Sequence, residues 1–481
     1  MSNQMLFKEP YEVFIGLEIH VQLGTNSKVF CNCNNSFGSR PNENICPICL
    51  GYPGVLPALN AKAIEHSYVI AKALDCSFSK KVIFERKNYF YPDLPKNYQI
   101  SQYENPLGKN GKFLTETNEK THLVRIRQVH LEEDAGKMIH AGEVSLLDYN
   151  RTGTPLVEVV TEPDLHSPLA AEQFVEAFRR LVRYLRVSDG NMEEGSLRCD
   201  ANVSVNYKGS GLGKKVEIKN LNSFKFVRNS LQFEIERQII TLKQGEIVKE
   251  ETRLWNENRG CTEIMRLKES EDDYRYFPEP DLQSFVPDLD FLYSVENQMV
   301  ELPLDRRNRF MTDYGLNREQ AAFLTNESQT AQFFEDSVAE GADPDLVAKW
   351  MGSDIQRNLN QRRESLEVSF LSPKRLSELL ELMTAGTING KIAKKILDLV
   401  FKDDCDPKDL VEQNGYVQIV DEEALSNILT QVLEEHPPVK TQITNGIRKP
   451  IGFLIGQVMK ATKGKADPKT LSSLVESLYK K

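Results

Sequence analysis

No run of about 18 apolar residues occurs anywhere in the chain, so nothing in it reads as a membrane-spanning helix. Its first residues, MSNQMLFKEP, carry neither the apolar stretch of a secretory signal nor the Arg/Ser-rich pattern of a transit peptide, and the expected location is cytoplasmic. A disulfide framework is missing too. Four of the eight cysteines, Cys76, Cys199, Cys261 and Cys405, are scattered singly, which fits a reducing compartment. Positive charge is short: 60 Lys and Arg against 70 Asp and Glu leave a net charge of −10, which argues against phosphate binding over the whole surface.

The common nucleotide and hydrolase signatures are also absent. Gly209-Ser-Gly-Leu-Gly-Lys-Lys215 misses the spacing of a phosphate loop and places Lys215 where Ser or Thr would hold magnesium, so it reads as a glycine-rich hairpin. There is no HExxH helix, no GxSxG elbow and no paired Ser-rich amidase loop. A reaction that consumes free ammonia would need another protein to supply it.

What is present begins with four close cysteines. Cys31-x-Cys33 and Cys46-x-x-Cys49, twelve residues apart, offer zinc four thiolates in a closed tetrahedron, a structural arrangement that leaves no open coordination position. The alternative is four reduced thiols packed as small hydrophobes. At 481 residues the chain is too long for one core, and two to four domains are expected. From about residue 11 to 290 the pattern is rich in strands, with helices predicted from Ser167-Pro168 and over roughly Phe224 to Lys243. Beyond about Leu304 it becomes helical, with starts at Asp343-Pro344, Ser372-Pro373, Asp406-Pro407 and Asp467-Pro468. The stretch Gly386 to Gly390 and the pair Asn445-Gly446 read as turns between helices. From Lys440 to Lys481 nine Lys or Arg oppose Asp467 and Glu476, a local balance of +7 that suits either an RNA contact or a solubilising terminus.

Strand parity locates the chemistry. In the run Ile15 to Leu23, Leu17, Ile19, Val21 and Leu23 share one face and Glu18, His20 and Gln22 the other. By the same count Arg125, Arg127 and Glu133 fall together, Glu158 interrupts an apolar strand, and Arg198, Asp200, Asn202 and Ser204 alternate with apolar residues, as do Lys215, Glu217 and Lys219. One such strand is an ordinary solvated face; five in one sheet would line a cleft able to hold ATP and magnesium without a phosphate loop.

Seven motifs in order carry a resemblance. They are Gly16-Leu-Glu-Ile-His-Val-Gln-Leu23, Cys46-Pro-Ile-Cys-Leu-Gly-Tyr-Pro-Gly-Val-Leu-Pro57, His130-Leu-Glu-Glu-Asp-Ala-Gly-Lys137 and Asp148-Tyr-Asn-Arg-Thr-Gly-Thr-Pro155, then Glu194-Gly-Ser-Leu-Arg-Cys-Asp-Ala-Asn202, Lys219-Asn-Leu-Asn-Ser223 and Asp273-Tyr-Arg-Tyr-Phe-Pro-Glu-Pro-Asp281. Across nearly its whole length the chain resembles the B subunits of the aspartyl/glutamyl-tRNA amidotransferases. The resemblance implies an α+β fold: an antiparallel-sheet catalytic domain of the glutamine-synthetase/guanido-kinase type over 1–295, a helical domain over 296–405 and a helical tRNA-binding tail over 406–481. It implies ATP- and magnesium-dependent phosphorylation of the side-chain carboxylate of mischarged Glu-tRNA(Gln) or Asp-tRNA(Asn). Amidation would follow with ammonia from the amidase partner, the family's A subunit, and the small C subunit would complete the heterotrimer. Glu18, His20, Glu133, Glu158 and Asp200 would line the metal and phosphate pocket. Glu217 and Lys219 would assist, Lys219 or Arg198 would steady the phosphoryl group, and Cys31, Cys33, Cys46 and Cys49 would hold structural zinc.

Overall fold

The computed structural model describes residues 10–117, 120–267, 274–416, 421–444, 451–462 and 464–477; the predicted turn at Asn445-Gly446, the N-terminal MSNQMLFKE and Asp273 of the last motif lie outside them. The architecture is mixed, with a large sheet and many helices, as expected of an α+β chain. Two compact units divide it, Met1–Leu304 and Asp305–Lys481.

The first unit holds every described strand. In chain order they are β1 (Tyr11–Gln22), β2 (Ser77–Phe78), β3 (Glu85–Asn88), β4 (Tyr98–Ser101), β5 (Gly108–Thr117), β6 (Lys120–Glu133), β7 (Lys137–Ala141), β8 (Val144–Asp148), β9 (Pro155–Thr161), β10 (Leu197–Tyr207), β11 (Val216–Leu221), β12 (Glu251–Asn256), β13 (Cys261–Leu267) and β14 (Phe277–Pro278). Its helices are α1 (Ala61–Ala73), α2 (Pro168–Tyr184), α3 (Phe224–Lys243) and α4 (Leu289–Glu296). Nine strands form one sheet in the order β13-β12-β11-β10-β1-β9-β6-β5-β2, β14-β3-β4 form a small second sheet, and β7-β8 pair as a hairpin. Every neighbour in the large sheet is antiparallel except β11 and β12. The glycine-rich segment 209–215 is the connection between antiparallel β10 and β11, so it is a strand joint.

The large sheet is apolar on one face because alternate side chains point opposite ways. Leu17, Ile19 and Val21 of β1, Val157 and Val159 of β9, Val129 and Leu131 of β6, and Ala201 and Val203 of β10 are all buried in one core. Helices α1, α2 and α3 cover that face. Helix α2 starts where predicted: Ser167 Oγ accepts the Ala170 amide, Pro168 occupies the first turn, and Ala171, Phe174, Val175, Phe178, Leu181 and Val182 form its buried stripe. Helix α3 is capped in the same way by Ser223. The open face of β1 and its neighbours is left to carry charge.

In the second unit, the described regular elements are helices. All four Asp/Ser-Pro pairs begin helices, and Asp343, Ser372 and Asp467 accept capping amides from Leu346, Arg375 and Thr470. Gly386, at a positive φ of 74°, and the Asn389 cap turn the chain between Pro373–Thr384 and Gly390–Val400, as a turn reading requires. One apolar core gathers Phe310 through Val411 and a smaller one Leu425 through Val475.

Phe174 is fully buried and stands edge-on to Phe113 at 5.6 Å. Truncating it leaves a cavity against a packed sheet, so Phe174→Ala should lower the stability of the first unit by about 3–5 kcal/mol. The shift is read as an earlier denaturant midpoint for that unit's transition.

Candidate functional site

Register aligns the open-face residues into rows. Along one row Arg198 of β10 stands opposite His20 of β1, His20 opposite Glu158 of β9, and Glu158 opposite His130 of β6. In the next row Asp200 pairs with Glu18, and one row further on Glu217 of β11 lies opposite Asn202 of β10. Side chains directly opposite on one face are within reach of one another, so these eight residues from five strands form one polar floor.

Among the described residues, three groups bring candidate ligand atoms within 4.8 Å of one another: Glu18, Asp200 and Glu217; His20, Glu132 and Glu158; and the four cysteines. In the first group Lys219 Nζ lies 2.6 Å from Asp200 Oδ2 and 2.9 Å from Glu217 Oε1, taking the place of a cation between two carboxylates. Asn202 Nδ2 donates to Glu18 Oε1 at 2.8 Å, and Thr252 Oγ1 to Glu217 at 2.8 Å. Burial raises the Glu18 pKa, and repulsion from Glu158, Glu217 and Asp200 adds to the rise, against the relief that Lys219 gives.

In the second group two imidazoles lie between two carboxylates. His20 Nε2 is 3.3 Å from Glu158 and 3.8 Å from Glu132, and His130 Nε2 is 3.3 Å and 3.5 Å from the same pair. Burial disfavours charge on both rings, but the carboxylates outweigh it: His20 is raised and His130 is pushed up to about 10. Burial likewise opposes ionisation of Glu158, yet the two histidines hold it well below the usual carboxylate range. Lys87 of β3 joins from the small sheet, its charge favoured by Tyr276, Glu132 and Glu158 against burial. Beside this group, buried Asp134 accepts from Arg198 Nη2 at 2.6 Å and from Gln22 Nε2 at 2.9 Å, and Arg151 Nε lies 3.6 Å away. The buried Arg198 Nε has no partner among the described residues, leaving one N–H of a charged donor unspent.

Sequence reasoning placed Glu18, His20, Glu158, Arg198, Asp200, Glu217 and Lys219 on one face, and the structure brings them together. Glu133 is the exception. It is 1% exposed, pairs with Lys96 Nζ and accepts the Ile100 amide at 2.9 Å, on the far side of the strand from Glu158. The parity count fails because β6 carries a bulge against β9 between Ile126 and Gln128. One extra residue there shifts the open face from odd to even positions, so Arg125 and Arg127 are followed by His130 and Glu132. Glu132, His130, Asp134 and Lys87 are the site residues the count missed; the alternation of His130 with Glu132 was the available signal for two of them.

The four cysteines converge behind this floor, where Cys31 and Cys49 line a cavity with Lys96 and Glu133. Cys31 and Cys49 are buried, and the four sulfurs fall within the same 4.8 Å limit. A hydrogen bond from Cys31 and the nearby ammonium of Lys28 lower Cys49 to about 5, whereas burial, followed by the contact with Cys46, raises Cys33 to about 11. One sulfur already has thiolate character, the state a zinc ligand needs.

A protein-family model described as the GatB/GatE catalytic domain matches residues 13–292, and a second, described as the GatB domain, matches residues 332–478. Curated relatives align over nearly the whole chain. The B subunit of an aspartyl/glutamyl-tRNA(Asn/Gln) amidotransferase from Gloeothece citriformis is 47% identical over 98% of this chain and 98% of its own length. Relatives of the same name from Carboxydothermus hydrogenoformans and Geobacillus thermodenitrificans are 44% and 46% identical, over 97% and 98% of this chain and 98% and 100% of theirs.

The electrostatics of the second group set a pH dependence. A histidine raised from 6.5 to about 10 adds stability that is complete below 6.5 and is lost as pH climbs through 10. Glu158, held well below 4.5, adds stability that is present above 4.5 and is lost as pH falls through its folded value. Metal-free protein should therefore keep both contributions between about pH 4.5 and 6.5. His130→Gln should flatten the alkaline decline, measured as unfolding free energy against pH.

Proposed function

The chain belongs to the family of aspartyl/glutamyl-tRNA(Asn/Gln) amidotransferase B subunits, and from that premise we propose how its open sheet face serves the amidation of mischarged tRNA. It is a carbon–nitrogen ligase component that uses glutamine as amide donor, working in a multi-subunit complex on Glu-tRNA(Gln), Asp-tRNA(Asn) or both. Its partners are the amidase, or A, subunit, which releases ammonia, and the small C subunit. The complex is cytoplasmic; among the described residues, no helix is long and apolar enough to cross a membrane.

A carboxylate resists amidation because its oxygen is a poor leaving group. The ionised side chain of the tRNA-bound amino acid attacks the γ-phosphorus of ATP, ADP departs, and the acyl phosphate carries a leaving group that ammonia can displace as inorganic phosphate. No general base is needed, since the attacking carboxylate is already charged near neutral pH. The observation that carries this reading is the juxtaposition of two metal-ready groups on one sheet face.

The all-oxygen set of Glu18, Asp200 and Glu217 suits magnesium, and Lys219 standing among those oxygens supports a cation position there. His20, Glu132 and Glu158 form a mixed nitrogen and oxygen set able to hold a second ion. Bound magnesium would neutralise phosphate oxygens as charge moves toward the leaving group. Lys219 and Arg198 offer the transferring phosphoryl group cationic contacts, since both side chains are about one-third exposed on this face. Glu133 with Lys96 is assigned to the far side of β6 and holds no metal. Zinc on Cys31, Cys33, Cys46 and Cys49 is structural: four protein ligands leave it no open position.

The division of labour follows the regions read from the sequence: 1–295 catalytic, of the glutamine-synthetase/guanido-kinase type, 296–405 helical, and 406–481 a tail that grips tRNA through its local charge of +7 over Lys440–Lys481. A scaffold that only positions tRNA would share the tail but would not need the acidic floor.

In the assembled complex, Glu18→Gln and Asp200→Asn should each cut amidation by at least about 100-fold while tRNA affinity stays at the parental value. Phosphate transfer from γ-labelled ATP to a trapped aminoacyl phosphate reports the chemical step. Full amidation by either variant would support the scaffold instead. Cys49→Ser should reduce bound zinc from one equivalent to none by metal analysis and lower the melting temperature, with residual amidation persisting in the cold.

A further inference from the structure

Exposed aromatic rings concentrate on the small sheet β14-β3-β4 and its flanks. Phe90, Tyr91, Tyr103 and Phe277 are 69%, 47%, 42% and 44% exposed, an unusual density for side chains that normally leave water. Behind them Tyr89, Tyr274 and Tyr276 complete a connected array: Tyr103 stacks on Tyr276 at 4.5 Å with 11° between planes, and Tyr274 stands edge-on to both Tyr276 and Tyr89 near 6 Å.

Cations are interleaved with these rings. Lys87 Nζ lies 4.9 Å from the Tyr274 centroid, and Ser101 Oγ of β4 in the same small sheet donates to Glu132 Oε2 at 3.0 Å, which places the array at the edge of the acidic floor. Arg275, exposed between Tyr274 and Tyr276, adopts a left-handed φ of 47°, a conformation that a non-glycine residue holds only when its surroundings impose it. Asn88 Nδ2 imposes it, donating to the carbonyls of Tyr274 at 3.3 Å and Arg275 at 2.9 Å. Arg86 locks the strand behind: its guanidinium bonds both oxygens of buried Glu279 and lies 4.2 Å from the Tyr98 ring. The rings are therefore held in place and wet, the combination that a stacking platform for bases requires.

We propose that this tyrosine array stacks an adenine base at the edge of the phosphoryl-transfer floor, a proposal that rests on the function argued above. The base belongs to one of two substrates of that reaction, ATP or the 3′-terminal adenosine of the charged tRNA. Stacking there would hold that substrate's reactive end near Glu18, His20 and Glu158 without any hydrogen bond that reads the base edge.

The test uses the assembled complex and two probes: aminoacyl-tRNA with 2-aminopurine in place of the terminal adenine, and 2-aminopurine riboside triphosphate in place of ATP. One of them should be quenched on binding, which identifies the source of the base. Tyr103→Leu and Tyr91→Leu, both at exposed positions where folding is safe, should abolish that quenching and raise the KM of the same substrate roughly 5- to 100-fold with kcat within about twofold. The phenylalanine variants should restore both, since a phenyl ring still stacks. Unquenched probes with the parental complex, or leucine variants with parental quenching and KM, overturn the platform. Glu18→Gln distinguishes the two ideas, because it should stop amidation and leave the quenching intact.

Discussion

Charge balance on the open face of the sheet is the constraint on which the rest of the first unit depends. Six carboxylates, Glu18, Glu132, Asp134, Glu158, Asp200 and Glu217, share that face or its border, several of them nearly dry. Ionised and unpaired, each would carry a desolvation penalty of several kcal/mol. Four permanent cations, Lys87, Arg151, Arg198 and Lys219, face them, and His20 and His130 supply the remaining positive charge by taking up protons. The raised histidines and the raised Glu18 are thus one phenomenon: a surface short of cations recruits protons. A divalent ion entering the same oxygens would do the neutralising in their place, so proton and metal compete for this floor.

That floor is held from behind by elements with no chemistry of their own. The cysteine clip packs on the turn that leads into β9: the Val29 amide donates to the Gly153 carbonyl at 2.8 Å, and Gly153 adopts a positive φ of 80° there with Lys28 close by. Lys28, fully buried, donates through its ammonium to the Asn44 carbonyl at 2.7 Å and reaches Cys49 Sγ at 3.7 Å, while its backbone amide donates to the Cys33 carbonyl at 3.1 Å, so one residue ties both halves of the clip. Glu158 lies on the strand that this turn begins. The clip therefore braces the turn from which that strand starts.

Much of this was legible in the sequence, for a physical reason. A strand buried on one side writes its two faces as odd and even positions, and β1, β9, β10 and β11 obey that rule, so Glu18, His20, Glu158, Asp200, Glu217 and Lys219 could each be assigned to the polar face of its own strand before any pairing was known. The helix starts were legible because Ser and Asp before Pro satisfy free amides and pre-set the first turn. What stayed hidden was of two kinds. A single-residue bulge in β6 exchanged Glu133 for Glu132, and a bulge leaves no compositional mark. Lys87 and the tyrosines reach the site from a separate three-stranded sheet, through contacts that depend on how two sheets meet and not on the pattern within either.

The arrangement also weighs between an enzyme and a passive RNA scaffold. A scaffold gains nothing from clustering carboxylates where burial and mutual repulsion raise Glu18, since such a surface repels phosphate and costs folding energy. Stability alone would favour apolar residues at these positions, as buried ion pairs rarely outperform well-packed hydrophobic ones. The penalty makes sense under the function proposed above, in which a cation would meet the carboxylates and a triphosphate would meet that cation, Lys219 and Arg198. Perturbed acidic groups that converge on one face beside unspent donors are what phosphoryl transfer uses and what tRNA anchoring has no need of.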